Sequence, residues 1–133
     1  VVAVATFHGV NAAASIVPPR SAISPPICHT GRSEKSRVDV MVTRVAARAP
    51  IERLVLVGMP HGMVTGGRTY TPGTVPEDTI VIHGEEDDVV PLAEVFAWAR
   101  PQELPVVVFP GCGHFFHGRL HELKARVLDF LAA

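Results

Sequence analysis

The chain reads as an α/β domain with a mainly parallel sheet and flanking helices. Three observations carry this. Leu54-Val55-Leu56-Val57-Gly58-Met59, Thr79-Ile80-Val81-Ile82-His83 and Pro105-Val106-Val107-Val108-Phe109 are short, uninterrupted apolar runs. Strands buried on both faces read this way, whereas half-exposed strands alternate. A helical period follows each of the last two runs, and the links between elements are short, as in βαβ units.

From the amino terminus, Val1-Val2-Ala3-Val4-Ala5-Thr6-Phe7 reads as a buried strand. His8-Gly9 and a small-residue run, Ala12-Ala13-Ala14, come next. Pro18, Pro19, Pro25 and Pro26 fall close together, and proline fixes φ and removes a donor. Residues 11–37 are therefore expected to be one irregular, poorly ordered segment. Val38, Met41, Val42, Val45 and Ala46 lie three or four apart, which predicts a helix ended by Pro50. After the strand at 54–59, residues 62–73 read as a glycine-rich loop. Gly84-Glu85-Glu86-Asp87-Asp88 is a turn. Pro91 can open a helix whose apolar face is Leu92, Val95, Phe96 and Ala99, with Phe96 and Trp98 as packing residues. The closing helix carries Leu120, Leu123, Val127, Leu128 and Leu131 on one stripe. The whole, 1–133, reads as a single domain without internal repeats.

Composition removes several classes of function. Of the 133 residues, 47% are hydrophobic and 19% charged, which excludes a charge-driven disordered chain. Twelve basic against thirteen acidic side chains give a net charge of -1, so electrostatics supplies no reason to expect nucleic acid or an anionic membrane as partner. No apolar run approaches the ~20 residues that span a bilayer. Two cysteines, Cys28 and Cys112, make neither a disulfide framework nor a four-cysteine zinc site, so a reduced, cytoplasmic protein is expected. Residues 1–7 are apolar but no basic n-region precedes them, so they are not expected to be a signal peptide, and the start without Met is expected of a fragment or processed product.

In a parallel sheet, ligands bind in the crevice beyond the carboxyl ends of the strands. Two polar clusters fall there. Asp87 follows the strand ending at His83, and His114 follows the strand ending at Phe109. The intervening helix makes a crossover that sets the two strands side by side, so both side chains emerge from one edge. A carboxylate that orients an imidazole fits that ring to act as a general base.

These residues carry a resemblance. Thr79-Ile-Val-Ile-His-Gly-Glu-Glu-Asp-Asp-Val-Val-Pro91, followed by Phe109-Pro-Gly-Cys-Gly-His-Phe-Phe-His-Gly118, resembles the carboxy-terminal half of an α/β-hydrolase, similar to small bacterial esterase-like members. In these a strand leads to Gly-x-x-Asp-x-x-Val-Pro and a later one to Gly-x-x-His-x-Phe. Residues 84–91 match the first pattern and 111–116 the second, within a similarity that covers residues 44–133. The resemblance implies a partial α/β-hydrolase fold. It also implies a Ser-His-Asp triad acting on small ester-like acyl substrates, with Asp87 as acid and His114 as base and no metal or organic cofactor. The family carries its serine in Gly-x-Ser-x-Gly at a strand-to-helix turn. This chain has no such motif. Ser36 falls at the expected distance before the Arg44 helix, with Glu34 and Val38 where the glycines belong. Phe7-His8-Gly9-Val10 resembles either the His-Gly loop that helps form the oxyanion hole or a worn Phe-Arg-Gly-Val loop from the next strand. The first would assign His8 and Gly9 to the oxyanion site. A deletion or altered reading frame upstream of residue 40 would account for the contrast between the two halves.

Each assignment has a plainer alternative. Asp87 is one of four consecutive acids and would otherwise be a solvated turn residue. His114 would be a strand-end histidine packed on Phe115 and Phe116, and Ser36 an ordinary loop or N-cap serine. Cys112, His114 and His117 offer zinc-competent ligands, but no further pair closes a metal site. His61 and His83 are expected at strand-end loops without a chemical role. The alternative function is a non-catalytic remnant that keeps the sheet and binds a ligand or partner. Strands missing from the sheet would leave an edge open to homodimer formation.

Overall fold

The structure is a computed structural model. It describes the backbone of Val2–Thr6 and Ala13–Val17, residues Thr43 and Ala46, and residues 50–133. A five-stranded sheet forms the centre. Its strands are β1 (Val2–Thr6), β2 (Ala13–Val17), β3 (Arg53–Val57), β6 (Thr79–Gly84) and β7 (Val106–Phe109), in the order β2-β1-β3-β6-β7. The pairs β1–β3, β3–β6 and β6–β7 are parallel, and only β2 runs antiparallel. The three apolar runs of the sequence are thus adjacent parallel strands. Between β3 and β6 lies a two-stranded hairpin, β4 (Gly62–Val64) and β5 (Arg68–Tyr70). Helix α1 (Leu92–Ala99) connects β6 to β7, and helix α2 (Leu120–Ala132) closes the chain.

Alternate residues of β3 and β6 feed opposite faces, because successive side chains on a strand point to opposite sides. Leu54, Leu56 and Val81 join Val64 and Tyr70 of the hairpin, and Val95, Trp98 and Ala99 of α1, in one core. Val55, Val57 and Ile82 join Phe109, Cys112 and Phe116 in a second core under α2. Both faces of the parallel strands are covered, which explains the continuous apolar runs. The segment before β6 is tied to the first core. The Gly73 N–H donates to the Thr43 hydroxyl at 3.0 Å, Trp98 Nε1 donates to the Gly73 carbonyl at 3.3 Å, and the Val75 N–H donates to Gln102 Oε1 at 3.0 Å. Arg53 on β3 donates to the carbonyls of Phe130 and Leu131, placing a cation at the carboxyl end of α2.

Four expectations need correction. Residues 11–37 are not irregular throughout, since Ala13–Val17 pairs along its whole length with β1. Pairing with a neighbour overrides the weak local pattern there, and Pro18 follows directly after the strand. The remainder of 11–37 lies outside the described residues. The segment 62–73 is a hairpin for most of its length, turning at Gly66 and Gly67, both at positive φ (99° and 73°). A Gly-Gly turn supplies the backbone that such hairpins require. On α2, Leu120 and Leu128 are exposed, and the face against the core is Leu123, Val127, Phe130 and Leu131. That spacing of four, three and one is itself a helical stripe. On α1, Leu92 and Phe96 are half-buried while Trp98 is buried with Val95 and Ala99. Of the helix expected before Pro50, Thr43 and Ala46 have helical backbone and are buried. Its other residues lie outside the described set. Among the described residues, no helix is long and apolar enough to cross a membrane.

Candidate active site

Strands β6 and β7 pair in parallel with Gly84 opposite Phe109, so the loops that follow them leave the same edge of the sheet together. The two loops are bonded to each other: the Glu85 N–H donates to the Phe109 carbonyl and the Glu86 N–H to the Cys112 carbonyl, each at 3.0 Å. Gly84 is where they touch. A Cβ at that position would fall against the Cys112 carbonyl oxygen, so only glycine allows the approach.

This contact brings Asp87 and His114 together. His114 Nδ1 lies 2.8 Å from Asp87 Oδ2, and both side chains are fully buried. A carboxylate only accepts, so Nδ1 carries the proton and donates it, and Nε2 is the basic atom of the neutral ring. The other carboxylate oxygen, Oδ1, accepts the backbone N–H groups of Val89 at 2.9 Å and Val90 at 2.8 Å. Burial pushes the Asp87 carboxyl up. The hydrogen bonds from His114 and the Val90 N–H outweigh it and hold Asp87 below the ordinary carboxylate range. The result is a buried, ionised carboxylate hydrogen-bonded to the Nδ1 edge of an imidazole.

A second histidine belongs to this cluster. His83, at the end of β6, is fully buried, and its Nε2 lies 2.8 Å from the Val90 carbonyl and 3.3 Å from Asp87 Oδ2. Burial pushes its pKa down. The sequence predicts His83 at a strand-end loop without a chemical role. It sits instead inside the strand, four positions before Asp87, and a polar residue in an otherwise apolar buried strand was the available signal.

Of the residues expected at the site, the structure therefore joins Asp87 and His114. Ser36, His8 and Gly9 lie outside the described residues. Cys112 is a buried free thiol, and burial pushes its pKa up. His117 is exposed, and no group of three His, Cys, Asp or Glu among the described residues is arranged to hold a metal ion. His61 follows β3 and its Nδ1 lies 3.6 Å from Glu94 Oε2, away from the Asp87 carboxylate.

No protein-family model matches the chain, and none of the curated proteins does. Two solved structures share its fold. A protein from Xanthomonas campestris pv. campestris, assigned to the hydrolases of the alpha/beta superfamily, superposes with a TM-score of 0.54 at 19% identity, over 71% of this chain and 52% of its own. An alpha-beta serine hydrolase homologue from Coxiella burnetii superposes with a TM-score of 0.52 at 31% identity, over 68% of this chain and 43% of its own. The chain thus spans about half the length of each. Sheet order, the helices on both faces and these two likenesses agree, and the chain belongs to the α/β-hydrolase superfamily.

Proposed function

We propose that the protein is a serine hydrolase acting on small ester-like acyl substrates, with Asp87 and His114 as the acid and base of its triad. The observation that supports this most is the buried 2.8 Å contact between Asp87 Oδ2 and His114 Nδ1 at the carboxyl edge of the parallel strands. In this reading a serine hydroxyl attacks the acyl carbonyl while His114 Nε2 takes its proton. The histidine then returns that proton to the departing alcohol, and water repeats the cycle on the acyl-enzyme. Asp87 keeps the ring in the Nδ1–H tautomer and stabilises the imidazolium that forms. Backbone N–H groups would bind the oxyanion. No metal or organic cofactor enters these steps.

Every serine of the chain, Ser15, Ser21, Ser24, Ser33 and Ser36, falls in the amino-terminal third. The nucleophile of this reading is Ser36. The missing elbow glycines around it favour the second reading, a hydrolase-fold protein that has lost turnover and retains a ligand- or partner-binding surface. A fluorophosphonate probe separates the two. Covalent labelling that maps to Ser36 and is lost in His114→Ala supports the enzyme. A demonstrably folded chain that takes no label supports the remnant.

A further inference from the structure

Asp87 is held by more than the residues a triad requires. Val90 is fully buried and both of its backbone polar groups point into this cluster. Its N–H donates to Asp87 Oδ1, and its carbonyl accepts from His83 Nε2. The same Nε2 lies 3.3 Å from Asp87 Oδ2, the oxygen that serves His114. Asp87, Val90 and His83 therefore close a ring of contacts that ties the loop after β6 back onto the strand it leaves. A leucine would fill the position of His83 without the cost of burying an imidazole. What it could not supply is the N–H.

The geometry also fixes which nitrogen carries the proton. The Val90 carbonyl only accepts, so Nε2 is the donor. His83 Nδ1 is buried and has no hydrogen-bond partner among the described residues. A protonated ring would place an N–H there with no acceptor among the described residues, and would set a cation beside Oδ2 in competition with the His114 N–H. The titratable groups facing His83 are Asp87 and His114, so a neutral His83 leaves the carboxylate's charge to His114 alone.

We propose that His83 is a positioning residue for Asp87, whose Nε2–H, donated to the Val90 carbonyl, holds the turn whose Val90 N–H fixes the carboxylate in the orientation that receives His114. This rests on Asp87 and His114 being the acid and base, but its test does not need the nucleophile. The readout is the nitrogen-15 and ring-proton NMR spectrum of the two histidines in the intact chain. In the wild-type protein His83 should be in the neutral Nε2–H form at neutral pH, and the hydrogen-bonded Nδ1–H of His114 should be visible at low field. An Nδ1–H or cationic His83 would overturn the proposal without any variant.

Two substitutions then separate positioning from packing. His83→Gln keeps a side-chain N–H near the place of Nε2, and His83→Phe keeps the volume but removes the donor. In chains shown to be folded by circular dichroism and thermal melting, the glutamine should keep the His114 low-field signal and the phenylalanine should lose it. Retention in both, or loss in both, would show that the donor does not position Asp87. Fluorophosphonate labelling of the wild type reports separately on the hydrolase reading, so the failure of one can be told from the failure of the other.

Discussion

The loops after β6 and β7 leave the same sheet edge side by side, yet they are held by different forces. The β6 loop is held by polar side chains reaching back to its own backbone, with Asp87 on the N–H groups of Val89 and Val90 and His83 on the Val90 carbonyl. The β7 loop is held by rings and backbone. Phe116 packs edge-to-face on Phe109 with centroids 5.5 Å apart, and the Cys112, Phe116 and Arg119 N–H groups close successive turns. Arg119 lies over the Phe109 ring and donates to the Pro110 carbonyl. The contrast separates two duties. The first loop must hold a charge in a dry place, which needs several donors. The second must hold a neutral ring steady, and packing does that.

The difference predicts how each loop fails. The largest effect is expected from Phe116→Ala, which opens a cavity in the core under α2. Such truncations cost about 3–5 kcal/mol, readable as a shift of the denaturation midpoint. Gly84→Ala should cost less, about 1–3 kcal/mol, because backbone must shift to admit the Cβ. It should also separate the loops, so a Gly84→Ala chain that melts lower while keeping the low-field His114 signal would show that the close approach does not align the pair.

Acid should act through the first loop. The folded pKa of His83 lies below the ordinary 6.5, so on acidification the unfolded chain binds this proton first. The stability contributed by the neutral ring is complete above about 6.5 and is lost as pH falls through its folded value. Asp87 has a folded pKa below 3.8, so its contribution is present above that value and lost as pH falls further, through its own folded value. Melting temperatures should therefore decline in two stages, with His83→Gln removing the first and Phe116→Ala removing neither. The smallest effect is expected at Leu128, which is 52% exposed although it lies on the closing helix. Leu128→Lys should change stability by about 0.5 kcal/mol or less, whereas Val127→Lys, on the packed face, should be clearly destabilising.

What the sequence made legible follows the same physical divide. Strands β3, β6 and β7 are visible because burial on both faces writes an uninterrupted apolar run. Asp87 and His114 are visible because a glycine-bounded polar turn after such a strand is an unusual pattern. Strand β2 is not visible, since Ala13-Ala14-Ser15 has little strand propensity and its pairing with β1 depends on tertiary contact. The β4–β5 hairpin hides for a related reason: its strands are three residues each, too short for a period, and its Gly-Gly turn reads equally as loop. Phe130 and the two exposed leucines of α2 are misassigned because several apolar stripes fit a leucine-rich helix, and only the sheet beneath it selects one. His83 escapes because a buried donor to a backbone carbonyl leaves no motif. Its role arises from the turn that brings Val90 back over the strand end.

The most direct test of the central claim is turnover of a short-chain p-nitrophenyl ester by the wild-type chain and by His114→Ala and Asp87→Ala, each checked for a native melting transition. Removing a triad's base or its orienting acid lowers the rate by about a thousandfold or more. The account predicts measurable hydrolysis by the wild type and a loss of that order in both variants. Hydrolysis that survives in His114→Ala, or a folded wild-type chain that does not turn the ester over, would contradict it.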